Sequence, residues 1–391
     1  MANTLTGLIP TIRESLDTVS RELVGFIPAS WSNPDGKQLE RAAKGQSITF
    51  PITPQGSLED ITPGQLPANS GSQTIGSETM TISKSKAYPI LWNGEEVKSL
   101  SNGDRPQINP ILMDQFSQGF RTLANAVEAD LWAEAYQNAS RAAGTAGTLP
   151  FATAGDLSDF ANSLKILNEN GSPTGDLHMI LGNSSAANLR AKQSVLFKVN
   201  EAGTSGMLRN GELGRVQGFG VGESNQIGAH TKGTGASYVT DTGATYPVGT
   251  TTIHVDTGTG TILAGDVVTF AGDSNKYIVV TGFAGDGDGD IVIAGPGLQQ
   301  TLADGVAMTI GASTTESNVF FDRRALVLVS RMPALPDGGD SADDRMTMQD
   351  PISGLAFEVA LYRQYRQVKY EISLAWGVKS VKPAHSGLLL G

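Results

Sequence analysis

Residues 107–144 read QINPILMDQFSQGFRTLANAVEADLWAEAYQNASRAAG. Asn109 followed by Pro110 is a helix-start signal, and Leu112, Phe116, Phe120, Leu123, Val127 and Leu131 recur every three or four residues as one apolar stripe running toward Gly144. The spacing predicts a helix of about 30 residues, ~45 Å long at 1.5 Å per residue. A straight rod of that length in the middle of a mixed chain reads as a scaffold element on which other parts are arranged.

On the N-terminal side, Leu5, Leu8, Ile9, Ile12, Leu16, Val19 and Leu23 also fall at helical spacing. Arg13, Glu14, Asp17, Arg21 and Glu22 occupy the opposite side, and Gly25 reads as a stop. The stripe of this amphipathic helix either packs on its own chain or serves a partner. From Gly45 to Pro106 the pattern changes to short alternating strands, Ser47 to Ile52 and Glu78 to Lys86. Between them lie Pro54, Gly56, Pro63, Gly64, Pro67, Gly71 and Gly76, so a long hairpin with a loose tip is expected. A polar tip of this kind buries little apolar surface alone, and either gains order against a neighbouring molecule or stays mobile.

On the C-terminal side, a second helix is expected from about Asp156 to Asn170, then a strand Leu177 to Leu181 and a shorter helix from Ser184 to about Gln193. Between Gly228 and Ser313 only short strands separated by Gly/Asp turns are read: Thr251–Val255, Asp266–Phe270, Lys276–Thr281, Asp290–Ile293 and Val306–Ile310. Their regular spacing suggests an inserted, independent β-barrel or sandwich. After it come the apolar strand Ala325–Val329, a polar loop from Pro336 to Asp344, and two alternating strands carrying Phe357, Val359 and Leu361, then Val368, Tyr370, Ile372, Leu374 and Trp376. At 391 residues the chain is long enough for several cores, and the class is α+β.

Composition removes several functions. With 28 Lys+Arg against 39 Asp+Glu the formal charge is −11, which disfavours a surface built to grip phosphate backbones, though an acidic container for packed DNA would suit it. The absence of cysteine removes disulfides, thiolate metal sites and thiol nucleophiles. No apolar run approaches the ~18 residues needed to span a bilayer, so a soluble, unexported protein without a membrane partner is expected.

Chemical motifs are equally sparse. Gly218, Gly220 and Gly222 miss the G-x-G-x-x-G pattern and read as a glycine-rich strand, so no cofactor is expected. Asp286, Asp288 and Asp290 resemble the first ligands of a calcium loop, but Ile291 stands where the turn glycine belongs and Gly297 where the closing glutamate belongs. A solvated acidic hairpin tip is the reading preferred there. His178, His230, His254 and His385 share no metal-ligand spacing, and no G-x-S-x-G elbow occurs. The expectation is a protein without a catalytic site.

Four local patterns carry a family resemblance: LGRVQGF at 213–219, GDVVTFAG at 265–272, NVFFDRRAL at 318–326, and LAWGV at 374–378 followed by Val381-Lys382-Pro383. In this order, with the arm, hairpin, long helix, α+β unit, β insert and C-terminal sheet around them, the whole chain resembles the major capsid proteins of tailed phages. Specifically it is similar to the P-twenty-two-like coat family, a Hong Kong ninety-seven-type capsid fold with an inserted β-barrel. The resemblance implies an N-arm (1–44), an E-loop (45–106), a spine helix with the peripheral domain (107–144), an axial domain (145–227), the inserted barrel (228–313), and an axial return into the peripheral sheet (314–391). It further implies pentamers and hexamers closing an icosahedral procapsid in the host cytoplasm. Scaffolding and portal proteins would be partners, a decoration protein an optional one, and double-stranded DNA would be enclosed without sequence-specific contacts. Under it, Arg13, Glu14 and Asp17 are candidate scaffold contacts. Lys232, Asp241 and Tyr246 are candidates for an inter-capsomer loop. No residue pattern for covalent cross-linking is found, so a noncovalent shell is expected. The competing readings are a cellular nanocompartment shell of the same fold, a β-rich adhesin, and an enzyme with a dispersed site.

Overall fold

The computed structural model describes residues 12–16, 25–37, 39–52, 63–64, 76–100, 108–193, 214–350 and 353–391. Three helices matter most: α1 (Ile108–Gln137), α2 (Ser158–Glu169) and α3 (Asn183–Lys192). In chain order the main strands are β1 (Ser47–Ile52), β2 (Gly76–Thr81), β3 (Lys84–Asn93), β4 (Arg141–Gly144), β5 (Leu177–Leu181) and β6 (Phe219–Glu223). Five follow in the glycine-rich segment: β7 (Thr252–Gly258), β8 (Val267–Phe270), β9 (Tyr277–Thr281), β10 (Gly287–Ile293) and β11 (Met308–Ile310). The last six are β12 (Ser317–Asp322), β13 (Leu326–Pro333), β14 (Ala342–Gln349), β15 (Ala356–Gln364), β16 (Gln367–Ser380) and β17 (Ser386–Leu390).

The α1 helix has 30 residues. All six stripe positions, Leu112, Phe116, Phe120, Leu123, Val127 and Leu131, are buried. They pack on Phe357, Val359, Ile372, Leu374 and Trp376 of β15 and β16. Each buried side chain of this size contributes on the order of 2 kcal/mol as an upper bound. Gly119, in the middle of the helix, is there for contact: a Cβ would lie 2.7 Å from Ile372 Cδ1 and 2.8 Å from Tyr88 Cδ1. Polar bonds fix the helix along its length. Trp92 Nε1 donates to Gln115 Oε1 (2.8 Å), Trp376 Nε1 to Asp130 Oδ2 (2.8 Å) and Trp132 Nε1 to the Ser317 carbonyl (3.0 Å).

Two sheets flank this rod. The first is ordered Trp31–Ser32, β13, β16, β15, β14, with Arg41–Ala42 added to β13 and β3 to β16. The 14-residue β16 is its backbone, pairing with β3 over Gln367–Trp376 and with β13 over Ala375–Ser380. The expected single strand Glu78–Lys86 is therefore two: β2 ends at Thr81, and β3 turns away at Lys84 into the C-terminal sheet. The polar loop Pro336–Asp344 also ends earlier than expected, because Ala342 opens β14. Its ADDRMTMQ sequence is polar because β14 is the last strand of the sheet.

The second sheet runs Val239–Thr240, β7, β10, β9, β4, β17, β12, β5, β6, Arg215–Val216, with β8 between β9 and β11. Its centre, β12 and β17, is buried at every position. The helices α2 and α3 pack on it through Phe160, Leu167 and Leu189 beside Phe219 and Phe320. Gly220 and Gly222 lie on β6 in parallel register with β5, as a glycine-rich strand.

Described residues 228–313 contain strands and no helix. They have an apolar core of their own, with Tyr238, Ile253, Val255, Phe270, Tyr277, Ile291 and Leu298 at its centre. This segment is joined to the rest of the second sheet through one strand pair, where Tyr277 of β9 meets Arg141 of β4.

Candidate assembly surfaces

The N-terminal helix is described over residues 12–16 only. Ile12 and Leu16 are buried in the main core, and Ser15 Oγ donates to the Met113 carbonyl at 3.1 Å. This turn spends its apolar side on α1 of the same chain. Arg13 and Glu14 face outward, while Asp17 lies outside the described residues. A few residues on, the one-turn helix Phe26–Ala29 is seated on a buried carboxylate of α1. Glu128 accepts from Phe26 N (3.0 Å), Ile27 N (2.8 Å) and Ser224 Oγ (3.0 Å). Burial pushes its carboxyl above the usual range, partly offset by these three donors. Sequence reading gave this residue no role, since a glutamate inside an amphipathic helix normally faces water.

The hairpin β1/β2 is exposed on one face. Its strands pair with each other and, among the described residues, with no other strand. Phe50 and Met80 are buried on one face with Ile82, Val327, Val329 and Ala375. Ser47, Thr49, Thr79 and Thr81 are exposed on the other. The stem is pinned by Lys379, which pairs with Glu78 and donates to the Thr79 carbonyl (2.7 Å), and by Lys84 with Asp130 of α1 (2.5 Å).

Where the chain enters this hairpin, a charged knot crosses the first sheet. Arg41 meets Glu358 through two nitrogens, at 2.8 and 2.7 Å, and Arg345 reaches the same carboxylate at 2.8 Å and also pairs with Asp340. The Tyr362 hydroxyl donates to Asp340 (2.9 Å). The hydrogen bond from Arg345 holds the Asp340 carboxyl down at about 2. Burial alone would raise Glu358, but the bonds from Arg41 and Arg345 outweigh it and lower the group. Burial, then Asp340, pushes the Tyr362 phenol up to about 12. Nothing in the sequence marked Glu358 among its apolar neighbours; its mate Arg41 is 317 residues distant.

At the far end of the same sheet, a groove of about 620 Å³ lies between the short helix Gly94–Leu100 and the β15–β16 turn, lined by Trp92, Val97, Arg363, Arg366 and Val368. Tyr365 at the turn is 87% exposed, and Arg366 beside it has φ +57°, a left-handed conformation that β-turns usually give to glycine or asparagine.

In the all-β segment the three loop candidates separate. Asp241 and Tyr246 come together: the Tyr246 hydroxyl donates to the Asp241 carbonyl (2.8 Å) and accepts from His254 N (2.9 Å). Lys232 is exposed elsewhere, its backbone N–H on Ser313 Oγ (3.1 Å). The acidic tip is more ordered than a solvated loop. Asp286 accepts from Gly260 N (2.6 Å), and His254 lies between Asp290 (2.6 Å) and Asp288. The Asp290 bond and the two charges raise the His254 imidazole above its ordinary value.

No protein-family model and no curated protein matches this sequence. Among solved structures it is similar to one of Mycobacterium phage Che8, at 13% identity and a TM-score of 0.45, over 90% of this chain and 88% of that one. The capsid of cyanophage P-SCSP1u matches at 14% and 0.46, over 90% and 85%. A virus-like particle from Pyrococcus furiosus matches at 9% and 0.42, over 97% of both chains.

Proposed function

We propose that this chain is the major capsid protein of a tailed double-stranded DNA bacteriophage, assembling into pentamers and hexamers of an icosahedral shell. One observation carries the reading: β1 and β2 leave their outer edges unpaired among the described residues while one face is already anchored. A two-stranded hairpin is marginal alone, and its open edges gain hydrogen bonds and burial on a neighbouring copy. The α1 rod, with sheets on it, supplies the stiffness that a shell subunit needs. In this reading residues 1–44 are the N-arm, 45–106 the E-loop, 107–144 the spine, 145–227 the axial domain, 228–313 the insert, and 314–391 the return to the peripheral sheet. The protein acts by association and not by catalysis. Its charge of −11 suits a container from which DNA must slide without sticking.

Arg13, Glu14 and Asp17 are assigned to scaffold contact, which exposed, salt-screened pairs make weak enough to reverse. Lys232, Asp241 and Tyr246 are assigned to contacts between capsomers. A portal protein occupies one vertex, decoration protein is optional, and assembly takes place in the host cytoplasm before the subunit resides in the virion. The test is electron microscopy of the overexpressed chain with and without its scaffold. Closed shells whose subunits run as monomers in denaturing electrophoresis are expected. A compact monomer at high concentration, scaffold present, overturns the proposal.

A further inference from the structure

The cleft between α2 and the all-β segment is cationic in an acidic molecule. It measures about 180 Å³ and is lined by Arg141, Lys165 and Lys276, with Asn162, Asn275 and a single carboxylate, Glu169. Three cations thus face one anion in a chain of formal charge −11.

Neither Arg141 nor Lys276 is fully served. Arg141 is 2% exposed. Its Nη1 donates to Asn275 (2.9 Å) and pairs with Glu169 (2.8 Å), and its Nη2 donates to Asn170 (3.0 Å) and the Ile166 carbonyl (3.3 Å). The Nε is buried with no hydrogen-bond partner among the described residues. Glu169 is itself 41% exposed and shared with Lys165 at 3.6 Å. Lys276 donates to the Gly144 carbonyl, but no carboxylate of the described residues pairs with it, and burial pushes its ammonium below the ordinary lysine value. A half-buried ammonium without a counter-charge is costly unless something supplies one.

We propose that this cleft binds an oxyanion, gripped by Lys276 and Lys165 with the Arg141 guanidinium in its wall. The position gives it a consequence. The all-β segment meets β4 through a single residue pair, and the Ala142 N–H on the Lys276 carbonyl (2.9 Å) is the bond beside it. An anion held by Lys276 next to β9 and by Lys165 on α2 ties the segment to the second sheet across that joint. The ligand is either free inorganic phosphate or a carboxylate presented by an acidic segment, and the two share one chemistry.

Thermal unfolding of the full chain, in inorganic phosphate against potassium chloride at matched ionic strength, tests it. Phosphate also stabilises proteins nonspecifically, in proportion to its concentration, so the comparison rests on Lys276→Met. A bound anion adds a rise that grows with the logarithm of concentration above the dissociation constant, about 2 °C at ten times that value for the wild type. Lys276→Met should keep only the linear slope. Should that variant fold poorly, Lys165→Gln, at a 71% exposed rim position, replaces it, and the onset of its logarithmic rise should move severalfold higher in concentration. A glutamate-rich peptide in place of phosphate separates the sources: onset at lower concentration assigns an acidic segment, a rise with phosphate alone a free ion. No logarithmic rise with either probe, or an unchanged response in both variants, overturns the proposal.

Discussion

At the scale of single residues, two positions change meaning between sequence and structure. Gly25 reads as the end of a helix, yet its reason is contact: a Cβ there would stand 2.6 Å from Glu128 Oε2 and 2.9 Å from Ser224 Cβ. Gly25→Ala should displace the carboxylate from Phe26 N and lower the stability of the unassembled chain by about 1–3 kcal/mol, as overpacking does. Chemical denaturation measures it, and an unchanged midpoint would refute the contact. Glu358 is the second such residue. Replacing it with Gln leaves Arg41 and Arg345 facing a neutral amide, and since both arginines keep some solvent the loss should be about 2–3 kcal/mol, below that of a wholly buried pair. The same knot sets an acid limit. Folded-state values of Asp340, about 2, and of Glu358 lie below their ordinary 3.8 and 4.5, so their contribution is complete above those values and disappears as pH falls through about 4 toward 2. The Glu358→Gln chain should lose less stability than wild type between pH 5 and about 2.5, a comparison that thermal melts at stepped pH provide.

At the scale of elements, the β7–β10 pair carries a pH dependence of opposite sign. His254 sits opposite Asp290 in register, with Asp288 on its other nitrogen. A raised imidazole value means the ion pairs stabilise the pair below pH 6.5 and are lost as pH rises through the folded value. The NMR titration of His254 should have its midpoint above 6.5, and Asp290→Asn should bring it down; a midpoint at or below 6.5 in the wild type would count against the clamp. The elements that alternate or repeat clearly, α1, α2, β15 and β16, were readable from residue type because their large apolar side chains recur at a helical or two-residue period, although β15 and β16 are buried on both faces over Ala356–Leu361 and Ile372–Gly377. The strands β4, β14 and β17 were not. RAAG and SGLLL are too short or too uniform to show a period, and β14 is polar because it edges the sheet.

At the scale of the whole molecule, the proposed shell makes the hairpin the part whose value lies outside its own subunit. Replacing residues 53–75 by a two-residue Asn-Gly turn should leave the melting temperature of the unassembled chain within a few degrees, since Phe50, Met80 and Ile82 keep their core. The same change should abolish shell formation, as read by sedimentation. Normal shells from the shortened chain would remove the hairpin from the argument. The all-β segment keeps a core of its own but also places Val267 and Ile278 in the α1 core and His230 against Tyr136 of α1.

The amino-acid pattern alone determined the 30-residue helix, its buried stripe, the α+β class, the hairpin and the β-only segment, because each rests on local periodicity or turn chemistry. Which strands pair was decided by tertiary structure: β3 with β16, β17 between β4 and β12, β9 with β4. So were the Glu128 clasp, the Arg41–Glu358–Arg345 knot and the cationic cleft, whose members lie tens to hundreds of residues apart. Contacts of that span depend on how whole layers stack, and a one-dimensional pattern holds no distance between layers.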